Sequence, residues 1–517
     1  MKKRKKFLPL LLILTILLAG CSSSNASAEN SAAAAQSTAA VSAILSSTST
    51  IAVDTEFSDR DTDSSYDDST ATHITLDGST INIDGDGAAA SDGVITISSA
   101  GTYVITGDLT DGQIVVAAGD DDKVQIVLNG VTISCADNAP IYVKNADKVF
   151  LTLNEETENT LTDGTTYVQS DDNNVDSVIF SKADLTINGS GTLNIKANYK
   201  NAIVSKDDLV ITGGTYNITA VEDALNGKDS VKIKDGIFTI DSADGKGITS
   251  KNDEDSTKGY VYICGGTITI KDSFEGIEGT AIIIEGGSID ITSSDDGFNA
   301  ASASAAESDT GSKGGQAAME NDENCYFSVS GGTIKVNASG DGLDSNGSIY
   351  ISGGTIYVSG PTNSGNGALD YNGTADISGG TVAIAGSSGM AQGFSDTSSQ
   401  YSLLYNFTSS LAAGTEVTLK DESGNVILTY TPDKEYQSVV ISTSDLKEGS
   451  TYTLTCGSQT ADIELTDIAT SAGASGGMGG MGGHGGPGGG HSGQPPQGGA
   501  PGQAPGATDQ SSTSSSN

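Results

Sequence analysis

The sequence predicts an all-β fold, a parallel β-helix or solenoid closed by a small C-terminal β domain. Three observations carry that expectation. First, a double glycine or close variant returns from Gly213 to Gly380, between short β-rich segments such as VYICGGTITIKDSFEGIEG and FSVSGGTIKVNASGDGLD. The pairs open at Gly213, Asp235, Gly265, Gly286, Gly331, Gly353 and Gly379, which stand 22, 30, 21, 45, 22 and 26 residues apart. A period of this kind marks units that bury their apolar faces against one another. Second, runs such as ITLDGSTINI, KVQIVLNGVTI and KVFLTLN are rich in β-branched residues and broken by Gly, Asp or Asn. They read as strands and turns, and almost nothing reads as helix. Third, a base unit of 21–22 residues makes about three short strands plus corners at roughly 3.3 Å per residue. Glycine suits corners that need positive φ. Ile263, Ile268 and Ile270 are expected to point inward and stack.

Taken in order, residues 1–20 are processing signal. Lys2, Lys3, Arg4, Lys5 and Lys6 precede an apolar run from Phe7 to Leu18. Leu18, Ala19 and Gly20 before Cys21 then resemble a bacterial lipobox. Cys21 is expected to carry lipid, and a two-chain anchor holds a protein on a membrane. The expected location is the extracellular face of the bacterial cell membrane. Residues 21–70, rich in Ser, Ala, Thr and Asp, read as a disordered tether. The β-helix spans 71–400, with insertions expected around Lys251 to Lys258 and from Ala301 to Asn324. From Tyr401 the repeat gives way to hairpin-like runs, so 401–467 reads as a β cap over an open solenoid end. Residues 468–517 form a low-complexity Gly-rich tail, in which His484 and His491 read as disordered chain.

Acidic residues number 66 against 25 basic ones, a formal net charge of −41. That balance argues against nucleic acid, whose phosphates require Lys and Arg, and suits a solvated surface or cation binding. Cys135, Cys264, Cys325 and Cys456 show no CxxC spacing and read as buried thiols instead of a zinc site. Tryptophan is absent, which excludes a Trp strip for crystalline cellulose. Tyr199, Tyr260 and Tyr371 remain able to stack sugars. A monomer is expected.

The second half of each unit carries the chemistry. Aligned on Ile203, Leu225, Ile248, Ile277, Phe298, Leu343, Leu369 and Phe394, the residue two before reads Asn201, Asp223, Lys246, Glu275, Asp296, Asp341, Gly367 and Gln392. The residue just after reads Val204, Asn226, Thr249, Glu278, Asn299, Asp344, Asp370 and Ser395. The residue after an inward one points outward by strand alternation. The residue two before faces outward only if the small residue between makes a corner. Neighbouring units lie about 4.7–4.9 Å apart, so these carboxylates share one face. Carboxylates that close repel and raise one another's pKa. Calcium resolves the conflict, taking six to eight oxygen ligands in flexible geometry. The expected ligands are Asp223, Asn226, Glu275, Glu278, Asp295, Asp296, Asn299, Asp341, Asp344 and Asp370, densest from Asp295 to Asp344. A turn role for each Asp-Gly is the competing reading.

The segments GTYVITGDLTDGQIVV, VQIVLNGVTISC, IYVKNADKVFLTL, SKADLTINGSGTLNI and SKDDLVITGGTYNITAVEDALNGKDSV resemble a family of bacterial carbohydrate-binding domain-containing lipoproteins. The likeness covers most of residues 72–467. It implies a right-handed, single-stranded parallel β-helix that binds calcium and acidic polysaccharide such as polygalacturonate, a pectin component. That family in turn resembles family nine pectate lyases, where a lysine near calcium takes the C5 proton. Lys246 stands in the acidic row and is the candidate base. A base works best with a pKa near the operating pH, whereas neighbouring carboxylates raise a lysine pKa, so an ion-paired Lys246 is the alternative. Surface binder, calcium-dependent pectate lyase and a purely structural or adhesion protein stabilised by calcium are the readings the sequence leaves.

Overall fold

A computed structural model describes residues 51, 53–303 and 321–474. These lie within one compact unit, Met1–Met478. The signal segment, Cys21, residues 22–50, most of the Ala301–Asn324 insertion, and His484 and His491 lie outside the described residues.

The structure is all-β, with one large, mostly parallel sheet and a separate four-stranded antiparallel sheet. Strands come in threes. Thr215–Ala220, Leu225–Gly227 and Ser230–Ile233 are followed by equivalents that pair with them in parallel. One column of pairings links Ile268, Ile289, Ile334, Ile356 and Val382 side by side. All five are buried, as are Ile263 and Ile270. Each such side chain contributes about 1.5–3 kcal/mol by leaving water. Tyr216 stacks on Phe238 of the next unit, with ring centroids 4.6 Å apart.

The double glycines close the corner between the third strand of one unit and the first of the next, and the two residues serve different needs. The second glycine has positive φ, 88° at Gly266 and 90° at Gly287, a region costly for residues with a Cβ. The first lies under the preceding unit: a Cβ on Gly286 would sit 2.5 Å from the Cys264 carbonyl oxygen.

At the far end, Thr381–Gly386 meets Tyr436–Ser442 in antiparallel register, and Ser402–Leu411 flanks the latter. These strands and the four-stranded sheet enclose a second core around Phe407, Val417, Tyr436, Leu454 and Leu465. The cap runs past the expected boundary at 467. Ala469–Gly473 pairs in parallel with Ser402–Leu411, because that strand still had an open edge.

The stretch read as tether is also partly ordered. Ile51, Val53 and Phe57 pack against Tyr260, Tyr262, Ala281, Ile283 and Tyr326. Lys232 Nζ holds the Asp54 carboxylate at 2.8 Å and donates to the Glu56 carbonyl at 2.5 Å. A four-residue helix, Asp59–Thr62, follows, capped by Ser58 and Asp61. Asp61 accepts from Thr186 at 2.6 Å and pairs with Lys148 at 2.9 Å. Residue 51 and residues 53–63 thus lie as a strap across successive units. Few apolar anchors interleaved with polar contacts to residues far along the chain leave no local pattern.

The four cysteines are free, and Cys135, Cys325 and Cys456 are buried. No helix among the described residues is long and apolar enough to cross a membrane.

Candidate functional site

The acidic row stands where the second strand of each unit begins. Register places Ile203, Leu225, Ile248, Ile277, Phe298, Leu343 and Leu369 side by side. The residue before each is Ala or Gly and points into the core. A Cβ on Gly297 would meet Val336 at 2.3 Å, and one on Gly342 would meet Val358 at 2.4 Å. Two consecutive inward positions therefore make the corner, and the residue ahead of them faces out. That is why Asp223, Lys246, Glu275, Asp296 and Asp341 share a face with Asn226, Glu278, Asn299, Asp344 and Asp370.

The row divides into two halves. In the first, lysines neutralise the carboxylates. Glu278, 4% exposed, pairs with Lys246 at 3.1 Å and with Lys251, and accepts from Thr249 at 3.0 Å. Burial pushes its carboxyl up, but the two ammonium groups outweigh this and hold it below the usual glutamate range. Burial works against the Lys246 charge, and Glu278, Glu275 and Asp223 more than restore it, so its pKa is raised. Asp223 accepts from Asn226 at 2.8 Å and from the Lys246 backbone N–H at 3.0 Å.

In the second half no ammonium group is paired with the carboxylates among the described residues. Oxygens of Glu275, Asp295 and Asp296 lie within 4.8 Å of one another, as do those of Asp296, Asp341 and Asp344. Asp296 belongs to both groups. Burial first, then Asp341, Asp344 and Asp295, push its carboxyl up to about 9. Burial and then Glu278 raise Glu275 to about 7; burial chiefly raises Asp341 to about 7. Asp344 is raised well above its ordinary value for the same reasons, and burial raises Asp295 and Asp370. Glu275 is 7% exposed. Its Oε1 accepts from Asn299 at 3.3 Å, but its Oε2 and the Asn299 Oδ1 are buried with no hydrogen-bond partner. An unpaired buried acceptor is costly, and two beside a crowd of carboxylates form a concentrated oxygen donor set.

Nine of the ten sequence-derived ligand positions fall in one row, with Asp295 beside it, but they are not one cluster. Glu275, Asp295, Asp296, Asp341 and Asp344 converge, with Asn299 beside them. Asp223, Asn226 and Glu278 are engaged with lysine or amide groups, and Asp370 accepts from Gln392 at 2.8 Å. Of the tyrosines considered for sugar contact, Tyr260 is covered by the strap and Tyr371 donates to the Gly393 carbonyl at 2.7 Å. Tyr199 stacks on Tyr167 with centroids 4.5 Å apart. A third convergence, Asp184, Asp207 and Asp208, was not anticipated. Its signal lay in the recurring SKADL, SKDDL and GKDSV segments, which place acids at one corner of successive units.

An all-β protein with an in-register carboxylate row is therefore the class that fold and site define. Residues 91–367 match the family described as carbohydrate-binding domain-containing protein, and the chain belongs to that family. A protein of that description from Acetivibrio thermocellus is 38% identical over 208 residues, covering 40% of this chain and 72% of its own. A solved structure described as a polysaccharide lyase-like protein from C. thermocellum, in a gadolinium derivative, is similar at 28% identity and TM-score 0.40. That similarity covers 60% of this chain and 97% of the other.

Proposed function

We propose that the protein is a calcium-dependent binder of acidic polysaccharide, of the polygalacturonate class, built on a right-handed parallel β-helix and carried on the cell surface by lipid at Cys21. Membership of a carbohydrate-binding family supports the polysaccharide partner. The observation that carries the cation is the unpartnered Oε2 of buried Glu275 beside Asp295 and Asp296. The donor set fits a hard cation: carboxylate and amide oxygens, with no His or Cys among them. Glu275, Asp295, Asp296 and Asn299 would hold it, with Asp341 and Asp344 as the adjoining group. A bound divalent ion supplies positive charge that a strongly acidic protein otherwise lacks there, and uronate carboxylates complete its coordination.

A second reading, pectate β-elimination with Lys246 as base, draws on the place of Lys246 at the edge of the carboxylate groups. Its raised pKa and its pairing with Glu278 favour a neutralising role instead. Calorimetric titration with polygalacturonate in calcium and then in chelator tests the first reading. Binding in calcium and its loss in chelator are expected; equal binding in both would refute it. An ultraviolet-absorbing unsaturated product, absent in Lys246→Ala, would replace binder with lyase.

A further inference from the structure

The flank of the carboxylate row carries apolar side chains that the core does not use. Five large hydrophobic residues are exposed among the described residues, and two of them stand at this corner. Val221, 41% exposed, lies two positions before Asp223, and Phe274, 43% exposed, lies immediately before Glu275. Tyr199 occupies the same corner two units before Phe274's predecessor, stacked on Tyr167. Phe274 is bracketed by the first carboxylate group. Glu275 follows it in the chain, and the Asp295 backbone N–H donates to the Phe274 carbonyl at 2.8 Å. The corner that follows breaks strict alternation, so Glu275 sits buried in the cluster while the Phe274 side chain immediately before it stays exposed.

Aromatic rings offer a flat apolar face with negative potential, complementary to the ring C–H groups of a sugar. In a hexuronate the carboxyl carbon is bonded directly to the pyranose ring. A carboxylate on a cation held by Glu275, Asp295 and Asp296 therefore brings its own ring to the position next to that cluster, where Phe274 lies.

We propose that Phe274 is a sugar-stacking residue that positions a uronate ring while the cation takes its carboxylate, with Val221 and Tyr199 extending the apolar flank along the row. The inference rests on the cation-bridged reading above. It assigns to Phe274 the discrimination between a uronate unit of a polysaccharide and a simple carboxylate. The occupant is an acidic polysaccharide running across successive units, parallel to the column of carboxylates.

The test compares wild type, Phe274→Ala and Phe274→Tyr by calorimetry in calcium, with trigalacturonate and with acetate as a ring-free carboxylate. Phe274→Ala is expected to bind calcium as wild type does and to lose about tenfold in affinity for trigalacturonate, near the upper range for one aromatic contact. Phe274→Tyr keeps wild-type affinity, and acetate binds all three equally weakly. Equal trigalacturonate affinity in wild type and Phe274→Ala overturns the stacking role and leaves the cation-bridged reading standing. Absence of trigalacturonate binding by wild type in calcium overturns that reading itself.

Discussion

Asp296 is where the two carboxylate groups meet, and its environment makes it costly to ionise. Burial and three neighbouring aspartates oppose its charge, so in metal-free protein ionising the row carries a cost. Asp296→Asn is expected to raise the unfolding temperature measured in chelator and to shrink the rise that millimolar calcium produces, since that rise reports the ligand's preference for the folded state. A variant with wild-type midpoints in both conditions would show that the two groups are not a cation site. The row itself was legible from sequence because strand register converts a repeated position into a column. Its division was not legible. Lys246 and Lys251 reach Glu278 through side-chain geometry, and the isolation of Glu275 Oε2 depends on where Asn299 points.

The strap illustrates the element scale. It is held at its middle by Asp54 and Glu56 on Lys232, and at its end by Asp61 on Thr186 and Lys148. Burial raises the Asp61 carboxyl, but its hydrogen bonds to Thr186, Lys148 and Ser58 outweigh this and lower it to about 2 from 3.8. A depressed folded-state value means that the stabilisation is present above the unfolded value and lost as pH falls through the folded one. The strap is therefore expected to stay docked above pH ~4 and to release as pH falls toward ~2. Hydrogen exchange of the peptide spanning residues 53–63 measures this, and Asp61→Asn should abolish the transition. Protection independent of pH across that window would contradict it. This element escaped the sequence because its composition is that of a linker. Only the distant surface it meets, with Phe57 under Lys232 and Lys234, makes it structured.

At the scale of the whole molecule, one large parallel sheet needs its last strand covered. Thr381–Gly386 finds Tyr436–Ser442, and a distinct hydrophobic core supports that junction. Removing residues 401–474 leaves an exposed strand edge, which is a template for association. The truncated chain is expected to elute as large oligomers on size exclusion, with the full-length protein as reference; a monodisperse product with the wild-type midpoint would show the cap to be dispensable. Repeat and strand character were readable from the chain because glycine spacing and β-branched alternation are local signals. The exact end of the cap was not, since Ala469–Gly473 is a strand only by virtue of the edge left by Ser402–Leu411.

The double-glycine corner sets where this architecture can accept novelty. A first glycine wedged beneath the previous unit's carbonyl and a second in a left-handed turn leave no room for extra chain between third and first strands. The corner after the second strand varies in length, although Gly347 there is wedged as tightly, with a Cβ 1.9 Å from the Cys325 carbonyl oxygen. The connection is longer between Ser250 and Tyr260 and between Ala300 and Tyr326, while flanking strands keep their register. Lineage divergence and protein engineering should therefore find the same permissive address. New loops grafted there would rise beside the carboxylate row without disturbing its spacing, so ligand preference can be rewritten while the scaffold is inherited unchanged.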